Sequence, residues 1–386
     1  MVQIIKIENK SKPNDLQVVN AKRECKGAMA AAHFSSGRRM VDVVRLWVLV
    51  FTVLLPWCYG GRVSISSQTL DVHKYLERLN KPPLKSIKSP DGDIIDCVHV
   101  SHQPALDHPF LKNHTIQMRP NYHPEGLFDV NKVSIPKSNE GISKPLTQLW
   151  HLNGKCPEGT IPIRRTKKED VLRASSIKSF GKKQHRTIPE PPRNAQPDLI
   201  NQGGHQHAIA YVEGDKFYGA KGTMNVWEPR IQQPNEFSLS QLWILGGSFA
   251  SDLNSIEAGW QDQKEGNWWM QFGNEYVLGY WPAFLFSYLA DSASMIEWGG
   301  EVVNSASDGQ HTTTQMGSGH FPEEGFGKAS YFRNILIVDG SNNLRAPKDV
   351  GTFTEQSNCY DVQIGNNGDW GNYFYYGGPG RNPNCP

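Results

Sequence analysis

Apolar positions fall into three regimes along this chain. From Val44 to Leu55 they are nearly continuous, through Leu46, Trp47, Val48, Leu49, Val50, Phe51, Val53 and Leu54. At Leu70, Val72, Tyr75, Leu76 and Leu79 they recur at helical spacing, until Pro82-Pro83 stops the pattern. The Ser89 to Gly92 turn then leads into Ile94, Ile95, Val98 and Val100, which read as a short strand. From His205 onward the apolar residues come in short runs, several at period two, with glycines between them. These runs are His207–Val212, Phe217–Val226, Phe237–Leu242, Trp268–Phe272, Tyr276–Tyr280, Glu301–Val303, Ile335–Val338 and Tyr373–Tyr376. The first two flank Glu213-Gly214-Asp215 and read as a hairpin. Many short strands with glycine turns predict an all-β second half, a sandwich or a barrel, preceded by a small mixed domain.

The first regime has the parts of a secretory signal. Arg38 and Arg39 precede it, Arg45 interrupts it, and Pro56, Gly60 and Gly61 follow. A comfortable membrane span needs about 20 apolar residues, more than are present. Met40 stands where such a signal begins, so residues 40–61 are read as the signal peptide and residues 1–39 as a disordered upstream extension. The expectation is a secreted protein with no stable membrane association once the signal is removed.

Composition refines this division. A chain of 386 residues is long enough for two domains, and its 36 glycines and 25 prolines suit strands and turns. The formal net charge of +2 excludes nucleic acid as the main partner. Charge is nevertheless uneven: between Arg164 and Arg193 ten basic residues stand against three acidic ones, with Pro189, Pro191, Pro192 and Pro197 close by. Such a stretch has little to bury, so residues 164–200 are read as an exposed, readily cut linker. It separates a domain over 62–163 from one over 201–386. In an oxidising compartment Cys97, Cys156, Cys359 and Cys385 allow three pairings, of which the local one joins Cys97 to Cys156 and Cys359 to Cys385. Asn113-His114-Thr115 is a glycosylation acceptor in the same context.

Several kinds of chemistry are missing from the sequence. It contains no GxSxG elbow, HExxH helix or P-loop, and Asp339-Gly340-Ser341 reads as a turn. His205 and His207 share a strand face, but no third ligand accompanies them, so no metal or cofactor is expected. Glu257 and Glu301 are the notable carboxylates, each set among apolar, glycine and tryptophan residues where an unpaired charge is costly. Brought together they would share a proton, one activating water while the other donates to a substrate carbonyl.

The wider set of motifs resembles the neprosin family of plant secreted glutamic peptidases, which cleave after proline. The resemblance over 205–386 rests on Tyr218-Gly-Ala-Lys221, Asn225-Val-Trp227, Ser238-Leu-Ser-Gln-Leu-Trp243, Ile256-Glu-Ala-Gly-Trp260, Gly279-Tyr-Trp-Pro282, Trp298-Gly-Gly-Glu-Val302, Gln315-Met-Gly-Ser-Gly319 and Gly377-Gly-Pro-Gly380. Residues 70–165 look like the activation-peptide domain that precedes the peptidase. The resemblance implies a sandwich of two antiparallel sheets, Glu257 and Glu301 as catalytic pair with Glu297 as a stand-in for Glu301, a Cys359–Cys385 disulfide, proline-containing peptides as substrate, and an apoplast or cell-wall location. One departure stands out. Gln261 runs almost directly into Lys264-Glu265-Gly266-Asn267-Trp268, where typical members carry on the order of sixty more residues, about four strands. That loss predicts opened sheet edges, and it threatens the geometry of the glutamate pair. Two alternatives to an active peptidase are therefore an inactive shortened isoform and a glycan-binding sandwich stacking sugars on Trp268, Trp269, Tyr280 and Trp281.

Overall fold

The computed structural model describes residues 71–127, 148–172, 204–247, 253–273, 276–306 and 309–386, with Ile177 and Phe180. The upstream extension, the signal segment and most of the basic linker lie outside these residues.

The N-terminal unit is small and mixed, as expected. Helix α1 covers residues 71–79 and buries Val72. Strands β1 (Lys85–Lys88), β2 (Ile94–His99) and β3 (Thr160–Arg164) form a three-stranded antiparallel sheet in the order β1-β2-β3. Ile87, Ile95, Cys97 and Trp150 make its core, and the Cys97–Cys156 disulfide closes it. Arg164 pairs with Asp93 at 2.7 Å and with Asp170 at 2.9 Å, and Arg165 grips buried Asp96 through two nitrogens at 2.7 and 2.8 Å. The first residues of the basic stretch, including α2 (Lys168–Leu172), are thus tied into this unit.

The second half is a sandwich. A five-stranded sheet runs in the order β14 (Gly351–Thr354), β4 (His205–Phe217), β11 (Ala293–Val303), β6 (Ser238–Gly247), β7 (Leu253–Ile256). The eight-stranded sheet runs β10 (Tyr276–Trp281), β9 (Trp268–Phe272), β8 (Gly259–Gln261), β5 (Gly219–Met224), β12 (Ser330–Val338), β16 (Gly371–Gly377), β15 (Asp361–Asn367), with β13 (Leu344–Arg345) paired to β12. Every pairing in both sheets is antiparallel. Between the sheets lie Ala208, Ala210, Leu242, Ile244, Ile296 and Trp298 from the smaller one, against Trp268, Phe332, Ile337, Phe374 and Tyr376 from the larger. Burying so much aromatic surface supplies most of the drive for this packing. Cys359 and Cys385 are joined, as the local pairing anticipated.

Two expectations need correction. Glu213-Gly214-Asp215 is not a hairpin turn. It is a bulge within β4, marked by the register shift between Ala293 and Met295, and the chain crosses between the sheets at Tyr218. Alternating residues on both sides of that point have a core to face, so β4 and β5 each join a different sheet instead of pairing with one another. Trp268, Trp269 and Tyr280 are buried and do not present rings to sugars, because the sandwich interior takes the first and a segment of the N-terminal unit covers the other two. The junction after Gln261 is closed: β8 and β9 pair at Trp260↔Trp269 and Gln261↔Trp268 around a turn held by Asp262. The five-stranded sheet ends at β7 and β14.

Residues 114–127 reach from the N-terminal unit across the eight-stranded sheet. Ile116 and Leu127 pack there with Trp260, Trp269, Tyr280 and Val338. Among the described residues, no helix is long and apolar enough to cross a membrane.

Candidate active site

The pleat of β11 decides what faces where. Ile296, Trp298 and Val302 point into the sandwich, so Met295, Glu297, Gly299 and Glu301 share its outer face. The same alternation sets His205 and His207 of β4 and Leu239, Gln241 and Trp243 of β6 on that face. The register aligns Glu301 with His207 and Leu239, Gly299 with Ile209 and Gln241, and Glu297 with Tyr211 and Trp243. Glu355, just past β14, completes the group.

Two imidazoles converge on Glu301. His205 Nδ1 lies 2.5 Å from Glu301 Oε1, and His207 Nε2 lies 3.8 Å from the same oxygen. On its other side His207 is held by Glu355, which accepts its backbone N–H at 2.5 Å and its Nδ1 at 2.8 Å. Burial works against a charge on His207, but the Glu355 hydrogen bond and the carboxylates of Glu355, Glu301 and Glu297 outweigh it, and the imidazole is pushed up to about 9. His207 therefore carries a positive charge beside Glu301 at acid and neutral pH.

Glu297 is in the opposite situation. It is fully buried and its Oε1 has no hydrogen-bond partner. Burial pushes its carboxyl up to about 8; His207 opposes this and the Glu301 and Glu355 carboxylates reinforce it. Glu297 is thus an uncharged acid through most of the pH range, four residues along one strand from Glu301.

Between the two, β11 has no side chain at position 299, where it packs closely against β4. Gly299 sits at φ +151, and a Cβ there would meet the carbonyl of Ala208 and stand 2.8 Å from Ile209 Cα. Opposite Gly299, Gln241 Nε2 is buried with no hydrogen-bond partner among the described residues.

Glu257 follows β7, beyond β6 from β11. Ile256 and Ala258 both pack on the sandwich core, so Glu257 faces outward with the cluster. The register sets Ile256 opposite Ile244. Glu257 itself lies one residue past the end of β7, where the ladder pairing with β6 has stopped.

Sequence reasoning named Glu257, Glu301 and Glu297 and saw that His205 and His207 share a face. It missed Glu355 and Gln241. Gln241 lies in a quoted motif, though nothing local marks its amide as unpaired; Glu355 is 54 residues from Glu301 and carries no local signal.

Two family descriptions match this chain. Neprosin activation peptide matches residues 86–211, and Neprosin matches residues 260–379. The second match begins three residues after Glu257 and includes Glu297 and Glu301. An activation peptide followed by the domain it precedes is the order of a peptidase zymogen.

Proposed function

Since the chain belongs to the neprosin family, we propose that it is the zymogen of a secreted glutamic endopeptidase that hydrolyses peptide bonds after proline in acid. The observation that supports this reading is the outer-face cluster, in which Glu301 meets the imidazoles of His205 and His207. Glu301, with positive charge next to it, acts as the base that takes a proton from water. The water oxygen attacks the scissile carbonyl carbon, and Gln241 Nε2 donates to the oxygen that becomes negative. Glu257 supplies the proton for the departing amine. Glu297 stays neutral and spares the face one more negative charge. The disulfides of both units suit an oxidising, extracellular setting.

The test is digestion of a proline-containing peptide between about pH 3 and pH 7 after acid treatment of the purified chain. Cleavage after proline is expected, strongest in acid. Glu301→Gln and Glu257→Gln should each lower the rate by about 10²–10⁴-fold with the thermal midpoint retained. Unchanged turnover in both variants sinks the assignment. Cleavage appearing only when the segment after Gln261 is restored would assign this chain to the inactive class.

A further inference from the structure

The face of the eight-stranded sheet that residues 114–127 cover is built to hold an extended backbone. Asp262 is fully buried, and its Oδ2 accepts the backbone N–H groups of Asn121 at 2.7 Å and Tyr122 at 3.1 Å. The Tyr280 hydroxyl accepts the backbone N–H of Gln117 at 2.8 Å and meets His114 Nε2 at 2.6 Å. Trp260 Nε1 donates to the carbonyl of Tyr122 at 3.3 Å, and Asn342 Nδ2 to the carbonyl of His123 at 2.7 Å. At the far end the segment adds to the sheet edge: Glu125 N–H donates to Asn342 O at 2.8 Å and Leu344 N–H to Glu125 O at 2.9 Å. Apart from His114 Nε2 these contacts go to main-chain atoms, and side-chain contacts of Gln117 with Asn267, Asn121 with Glu265 and Tyr122 with Lys264 add to them.

Two further observations suit an occupant other than this segment. Trp269 Nε1, buried in the same groove, has no hydrogen-bond partner. Among the described residues, Asp262 Oδ2 and Trp260 Nε1 have their hydrogen-bond partners in residues 114–127, so departure of the segment strands a buried acceptor and a buried donor, which is costly. The segment carries Pro120 and Pro124, whose fixed φ favours the extended form the groove accepts. Trp260 is three residues from Glu257, at most about 11 Å along the chain.

We propose that this groove, lined by Trp260, Asp262, Trp269, Tyr280 and Asn342, is a peptide-binding exosite for an extended, proline-bearing polypeptide, occupied in the zymogen by the chain's own residues 114–127. The occupant's role as substrate rests on the peptidase reading; the binding itself does not.

The test uses the full chain with residues 117–122 replaced by Gly and Ser, in a Glu301→Gln background so that nothing is hydrolysed. The probes are a fluorescent peptide of residues 114–125 and a second peptide that keeps only its two prolines, with Ala and Ser elsewhere. Saturable binding of both is expected, weakened by about tenfold or more by Asp262→Asn and by Tyr280→Phe. Absence of saturable binding to a chain that still unfolds cooperatively overturns the proposal. Binding of the first peptide alone also overturns it, since the groove is then a latch for one segment. Should the replaced chain not fold, the wild-type chain nicked in its basic stretch serves: excess proline peptide should release the N-terminal fragment, and failure to release it counts against the exosite. Because these are binding readouts, an inactive enzyme with an intact groove and an active enzyme without one are told apart.

Discussion

Glu297 and His207 make the outer face sensitive to pH in one direction. Glu297 is raised from its ordinary value to about 8 and His207 to about 9, so folding favours the protonated form of each. For Glu297 the stabilisation is complete below the ordinary glutamate range and declines as pH rises toward 8. For His207 it is complete below about 6.5 and declines toward 9. Glu236 works the other way: despite burial, hydrogen bonds from Ser305, Thr314 and Thr312 lower its carboxyl, and that stabilisation is lost as pH falls. The thermal midpoint should therefore peak in mild acid and drop between pH 5 and pH 9. Glu297→Gln should flatten the part of the drop below about pH 8, and an unchanged profile in this variant would remove Glu297 as its source.

At the level of the strand, β11 depends on a side chain it does not have. Gly299→Ala forces a Cβ at φ +151 against the backbone of β4, and should cost about 2 kcal/mol or more, read as a lowered urea midpoint. Gly368→Ala, where a Cβ meets nothing within 4 Å, is the control and should shift it by under about 0.5 kcal/mol. The Cys359–Cys385 disulfide closes a separation of 26 residues, so replacing both cysteines by Ser should cost about 3 kcal/mol in the same assay. The strand boundaries themselves were partly legible. A period-two run marked β6, and short apolar runs between glycines marked β9 and β16. β11 was visible only at Glu301–Val303, since Met295–Gly300 are buried on both faces and carry no alternation.

For the whole molecule, the N-terminal unit and the sandwich are joined by contacts as well as by chain. Trypsin should cut the basic stretch after Leu172, where the ion pairs of Arg164 and Arg165 with Asp93, Asp170 and Asp96 end. The two fragments should nevertheless co-elute on gel filtration, because residues 114–127 stay seated on the eight-stranded sheet. Separate elution of folded fragments would mean that the groove contacts are weaker than their number suggests. The proposed catalytic face and the groove lie on opposite sheets of the sandwich, connected through the short crossing from Glu257 to Trp260. Release of the segment could thus be felt at Glu257 through two intervening residues.

The sequence by itself determined the composition of the fold: short strands, glycine turns, two disulfides, a basic divide and the residue types of the candidate site. Those are local properties, carried by periodicity, spacing and charge. Tertiary structure alone decided which strands share a sheet, and so that β4 and β5 part company at Tyr218 and that Glu301 lies opposite His207. It also brought Glu355 from the end of β14 to His207 and left Gln241 and Trp269 with unpaired donors. Register and sheet membership are fixed by contacts between residues far apart in sequence, and a buried group's charge is fixed by what those contacts exclude.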